Sequence, residues 1–210
     1  MAQVYVAPDG RPRCAWAGAS AMELAYHDSE WGFPVADDVK LFEKICLEGF
    51  QAGLSWRTIL AKRENFRRAF AGFQVRAVAN FGEHDVARLL ADTGIVRHRG
   101  KIEAAINNAQ RAVELQAEAG SLAAYFWRRE PVAGEIPVPQ SMSTSPSSVA
   151  VSKDLKKRGW KFVGPTTVFA FMQAMGLVND HTGDCVIRPA VAERRRDFGR
   201  LTLPALLEPR

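Results

Sequence analysis

In one segment after another, the apolar side chains of this chain recur at the 3.6-residue period of an α-helix. In "DDVKLFEKICLEGF" (37–50) Val39, Phe42, Ile45, Cys46 and Phe50 fall on one side, with Asp37 and Asp38 placed to start the helix. "GKIEAAINNAQRAVELQAEAG" (100–120) puts Ile102, Ile106, Ala109 and Val113 on one face and closes with Gly120 as a C-terminal cap. "SLAAYFWRR" (121–129) predicts a shorter helix. "SVAVSKDLKKRG" (148–159) and "GPTTVFAFMQAMG" (164–176) predict two more, separated by a tight turn. "EPVAGEIPVPQSMSTSPSS" (130–148) concentrates Pro, Gly and Ser and reads as a loop between two helical lobes. No segment alternates apolar and polar residues over a useful length and no repeat emerges, so the pattern predicts an all-α fold. The last stretch, 188–210, carries prolines and a run of three arginines and reads as a frayed tail.

Composition narrows the function classes. The 210 residues are 47% hydrophobic, enough for one large domain or two small lobes. No run approaches the roughly eighteen apolar residues of a membrane helix, and the first residues lack a signal-peptide pattern, so the expectation is a cytoplasmic protein with no membrane partner. Lys plus Arg number 28 against 23 for Asp plus Glu, a balance that permits a polyanionic partner without requiring one. Cys14, Cys46 and Cys185 are an odd set, which argues against a disulfide framework and for thiols or metal ligands.

"VNDHTGDC" (178–185) spaces His181 and Cys185 as half of a metal site. His84 in "GEHD" reads as a turn residue, His98 sits among charges, and Cys46 lies on an apolar helix face where a buried thiol is the common role. Cys14 and His27 remain, and with His181 and Cys185 they would make a closed Cys₂His₂ tetrahedron suited to a structural zinc. The same spacing could equally be accidental, since the halves do not form a compact finger.

Two further features carry chemistry. "KKRGWKFVGPTT" (156–167) has the layout of a helix-hairpin-helix: Gly159 and Gly164 allow a sharp turn, Pro165 suits a first helical position, and free amides there can take a phosphate. Lys156, Lys157, Arg158 and Lys161 add charge that contacts backbone without reading sequence, and "GIVRHRGK" (94–101) is a second basic turn. Trp16, Tyr26, Trp31 and Trp56 cluster in the first 56 residues, around Cys14, His27 and Glu48. A helical wheel sets Glu48 beside Leu41, Ile45 and Ala52, where a partly desolvated carboxylate needs a partner.

"YHDSEWGFPVADDVKLFEKICLEGFQAGLSW", "GIVRHRGKI" and "LKKRGWKFVGPTTVFAFMQAMGLVNDH" with Cys185 beyond resemble the DNA-3-methyladenine glycosylase I (Tag) family, within the helix-hairpin-helix glycosylases. The resemblance covers about residues 12–188. It implies a helix-hairpin-helix glycosylase fold whose N- and C-terminal segments are joined by a structural zinc on Cys14, His27, His181 and Cys185. It also implies a base pocket with Glu48 as its catalytic carboxylate and Trp16, Tyr26, Trp31 and Trp56 as walls. Lys161, Gly164, Pro165 and Thr166 would contact DNA. The implied activity is excision of 3-methyladenine from double-stranded DNA by a monomer. It would be monofunctional, because the position of a lyase lysine reads as Thr166 or Thr167. Asp180 and Asp184 flank a metal ligand and receive no role. Residues 1–11 and 189–210 lie outside the family core, the first expected to be a flexible extension. A non-catalytic DNA-binding protein with the same hairpin and zinc is the alternative, though it would have no need of the aromatic pocket. A zinc hydrolase or deaminase is disfavoured by a closed ligand set and the lack of an H-x-E with P-C-x-x-C.

Overall fold

The computed structural model describes residues 4–136 and 138–207. It is mostly helical, as the periodicity predicts, with eleven α-helices among the described residues. The helix predicted at 37–50 is α2 (Asp38–Gln51), preceded by α1 (Ala21–Ser29) and followed by α3 (Trp56–Ala69), α4 (Val75–Ala79) and α5 (Glu83–Ala91). The long α6 (Arg99–Ala119) ends at Gly120, whose φ of 86° is the left-handed cap the sequence predicts. Then come α7 (Leu122–Trp127), α8 (Pro146–Lys157), α9 (Pro165–Ala174), α10 (Arg188–Leu201) and α11 (Leu203–Leu207).

The amphipathic α2 is the central element, packed against α3, α6, α7 and α9. The Asp37 carboxylate accepts from Lys40 N at 2.9 Å and caps its first turn. Asp38 turns away to accept from the amides of Leu122 and Ala123, both at 2.9 Å, so one residue of α2 caps α7. Burial of Leu41, Phe42, Ile45 and Phe50 on α2 with Ile102 and Ala109 on α6 and Phe171 and Met172 on α9 forms one hydrophobic cluster. Helices on both sides of the 130–145 loop share it.

Three expectations are corrected. Val4–Val6 (β1) pairs antiparallel with Pro12–Cys14 (β2), Val4 opposite Cys14, so a short hairpin stands where the all-α pattern predicts no strand; of the extension expected at 1–11, residues 1–3 lie outside the described residues. Three-residue strands are too short to show alternation. The segment read as a frayed tail holds α10, where Val191 is fully buried and Phe198 packs on Trp127 with centroids 4.4 Å apart. Its apolar stripe is two residues a double turn apart, overshadowed by the arginines between them. His84, read as a turn residue, lies in the first turn of α5.

Candidate functional site

Consecutive residues of a helix point about 100° apart, and α1 uses this to serve two places at once. Ser20 caps α1 through Glu23 N at 3.1 Å and fixes its start. Tyr26 then faces a cleft and His27 faces the chain ends.

Cys14 on β2, His27 on α1 and His181 with Cys185 on the turn before α10 meet in one fully buried group. One donor atom from each lies within 4.8 Å of all the others. His27 Nδ1–H donates to the Asp28 carboxylate at 2.7 Å, and His181 Nε2–H donates to the Trp31 carbonyl at 3.0 Å. Those partners take the outer nitrogens, which leaves His27 Nε2 and His181 Nδ1 turned toward each other, 3.1 Å apart. Both nitrogens are free to ligate a cation placed between them. Sulfur–nitrogen separations of 3.7 Å (Cys14–His181), 3.6 Å (Cys185–His27) and 3.4 Å (Cys185–His181) accompany them. A tetrahedral ion with ordinary metal–ligand lengths has edges of about 3.3 Å between nitrogens and about 3.6 Å between sulfur and nitrogen. The group can hold a metal ion. The hydrogen bond from Cys14 holds the Cys185 thiol well below its usual range, helped by His181 and His27, while the same bond and burial push Cys14 up. Arg13 donates to both oxygens of Asp28, at 3.3 Å and 3.0 Å, and so locks the carboxylate that orients His27. Cys46 is buried apart from the group, its thiol pushed up by burial.

A cleft of about 340 Å³ opens beside this group, and Trp16, Tyr26, Trp31, Glu48 and Trp56 all line it. Trp31 forms a shared wall: its ring lies edge-on to His181 with centroids at 4.6 Å, and Trp16 meets Trp31 at 5.1 Å. Trp56 opens α3 behind the Ser55 cap and meets Tyr26 at 5.2 Å. Glu48 is 7% exposed. Its partner is a residue that sequence reasoning missed: Lys44, one helical turn earlier, whose Nζ lies 2.7 Å from Glu48 Oε1. The same ammonium donates to Tyr26 Oη at 2.9 Å and sits 3.4 Å from the Trp56 ring centroid. The i,i+4 spacing was the available signal, hidden because a lysine on an apolar face is read as solvated. Gln140 and Gln173, also missed, reach the cleft wall because buried Asp180 accepts from Gln140 N at 2.9 Å and from Gln173 Nε2 at 2.6 Å. Burial raises the Asp180 pKa, and Asp180 itself does not line the cleft, both its oxygens being taken by residues that do. Asp184 is exposed and likewise outside it.

A tight turn joins α8 and α9, at the position the sequence predicts. Gly159 takes φ 82° as expected, but Gly164 has φ −62°, open to any residue, and Phe162 adopts the left-handed φ of 55° instead. A side chain at Gly164 would first meet Thr167 Oγ1 at 4.0 Å, so its contribution is an open approach to the backbone. Pro165 is the first residue of α9, and Lys161 and Thr166 are exposed. Asn108 of α6 clamps the turn, accepting from Lys161 N and donating to Lys161 O, both at 2.8 Å. Arg158 is spent inside the protein on Glu118 and Asp154. In the second basic turn Lys101 is buried and donates to Phe50 O and Ala52 O, closing α2 just past Glu48.

The sequence profile of the methyladenine glycosylase family matches residues 16–188. DNA-3-methyladenine glycosylase 1 of Escherichia coli (strain K12) is 48% identical over 181 residues, 84% of this chain and 97% of that protein. DNA-3-methyladenine glycosylase of Haemophilus influenzae is 44% identical over 177 residues, 82% and 96%. A crystal structure of 3-methyladenine DNA glycosylase I superposes with a TM-score of 0.76 at 47% identity, covering 83% of this chain and 98% of that one. The Staphylococcus aureus 3-methyladenine DNA glycosylase I, solved to show the structural basis of 3-methyladenine recognition, gives 0.77 at 36% identity, covering 84% and 96%.

Proposed function

This chain belongs to the methyladenine glycosylase family, and from that premise we propose that it removes 3-methyladenine from double-stranded DNA by hydrolysing the N-glycosidic bond. The observation that carries the reading is the cleft, where Trp16, Tyr26, Trp31 and Trp56 surround the buried Glu48 carboxylate. A methylated adenine in DNA bears a positive charge, and a cation against electron-rich rings gains about 0.5–2 kcal/mol per contact while normal bases gain much less. The base must leave the duplex to enter, at a cost reduced by the weakened stacking and pairing of a damaged nucleotide. Glu48 accepts hydrogen bonds from the adenine edge and complements its charge.

The bond between sugar C1′ and the base nitrogen then breaks with its electron pair going to the base, which departs neutral. Positive charge develops on the sugar, where Glu48 and the DNA phosphates stabilise it, and a water oxygen adds to C1′ and releases its proton. Thr166 and Thr167 offer no amine for a Schiff base, so the strand stays intact. In this reading the turn is a helix-hairpin-helix: the Gly164 and Thr166 amides, with the Lys161 side chain and Pro165 opening α9, hold flanking phosphates. The Cys14, His27, His181 and Cys185 group holds zinc, which its two-sulfur, two-nitrogen tetrahedral donor set suits and which stays structural because no ligand position is left open. The chain acts as a monomer in the cytoplasm; no helix among the described residues is long and apolar enough to cross a membrane.

The test is to incubate the protein with methylated duplex DNA and identify what is released. Free 3-methyladenine with strands uncut before alkali treatment is expected. Binding without any released base would favour the non-catalytic alternative.

A further inference from the structure

Lys44 is 6% exposed, and everything its ammonium touches belongs to the cleft: Glu48 Oε1 at 2.7 Å, Tyr26 Oη at 2.9 Å and the Trp56 face at 3.4 Å from the centroid. Those are the carboxylate and two of the rings that would receive a cationic base. The cleft therefore carries its own cation against the carboxylate and rings a charged purine would use, and Lys44 offsets the charge of Glu48, while Glu23, the other carboxylate in the lining, is paired with Arg57.

We propose, resting on the glycosylase reading, that Lys44 is a specificity-determining residue: a resident cation that a charged base must displace from Glu48 and Trp56 before it can bind. Two like charges within van der Waals reach of one ring repel, and in a cleft that excludes water the repulsion is felt more strongly than in solvent. The ammonium must swing out or give up its proton. Burial already pulls its proton affinity below the usual lysine range, against the opposing pull of Glu48 on its own helix, with smaller contributions from Arg63 on α3 and from Glu30. Either route weakens binding of a charged base and leaves a neutral base of the same shape much less affected, so Lys44 narrows the advantage that the rings and Glu48 give to charge.

The test is titration calorimetry near neutral pH with two probes: 3,9-dimethyladeninium, permanently cationic, and 9-methyladenine, its neutral counterpart. Lys44→Met should tighten the cationic probe about tenfold or more while the neutral one moves by less than about threefold. Lys44→Arg, which keeps the charge and cannot release a proton, should bind the cationic probe no more tightly than the wild type does. Lys44→Gln removes the charge but keeps a polar end group that can still meet Tyr26 and Glu48, and should shift in the same sense as the Met variant, which serves if Met disturbs folding. An unchanged or weakened cationic affinity, or equal tightening of both probes from added room alone, would overturn the proposal and leave the glycosylase reading standing. If neither wild type nor any variant bound either probe, the cleft would not be a base site and both readings would fall.

Discussion

Trp56 gives one face to Lys44 and forms one wall of the cleft, so its truncation removes a ring without touching the hairpin or the metal group. Trp56→Ala should cost roughly 1–3 kcal/mol of affinity for free 3-methyladenine while leaving undamaged duplex bound as before. Calorimetry with the free base and anisotropy with a duplex separate the two effects. At this scale much of the site was legible in the sequence. Trp16, Tyr26, Trp31, Trp56 and Glu48 were singled out from residue types and a helical wheel, and the structure brings all of them to one cleft. Lys44 was not, because a charge on an apolar face draws attention only once its partner and its ring are known. Gln140 and Gln173 depend on a contact with Asp180, from a loop and a helix respectively, and no local pattern announces such a contact.

Among the elements, the hairpin shows how far pattern and chemistry diverge. The period of α8 and α9 and the first-position Pro165 placed the turn correctly, yet the turn is held by Asn107 and Asn108 of α6, through Gly159 O at 2.8 Å and both backbone groups of Lys161. Pairing so distant in sequence has no periodic trace. Asn108→Ala should leave the Lys161 amide and carbonyl without their partner, cost about 1–3 kcal/mol of stability in urea unfolding, and weaken duplex binding with free-base affinity unchanged. Lys161→Ala should weaken damaged and undamaged duplexes alike and reduce the salt slope of binding by about one. Weakening confined to damaged duplex would give the hairpin a part in recognising the lesion. The same scale holds the misreadings of residues 4–11 and α10, where strands of three residues and a stripe of two apolar side chains fall below what periodicity resolves.

Over the whole molecule, the buried Cys and His group ties β2 and α1 to the turn before α10, joining segments from the two ends of the chain. If the group holds the proposed zinc, removing it or one ligand, as in Cys14→Ala, should destabilise the fold by roughly 3 kcal/mol or more. For a chain of this size that is about 6–12 °C in Tm. Because Trp31 is edge-on to His181 and its carbonyl accepts from His181 Nε2–H, chelation should also weaken binding of free base before global unfolding. Elemental analysis showing no metal in a fully stable protein would remove the staple from this account. The most direct measurement is single-turnover release of 3-methyladenine from methylated duplex by the wild type and by Glu48→Gln, which keeps shape and loses charge. Release by the wild type, slowed about ten- to hundredfold in the variant, is the predicted result. No release by the wild type, or equal rates from both, would contradict the assignment of this cleft as the site of excision.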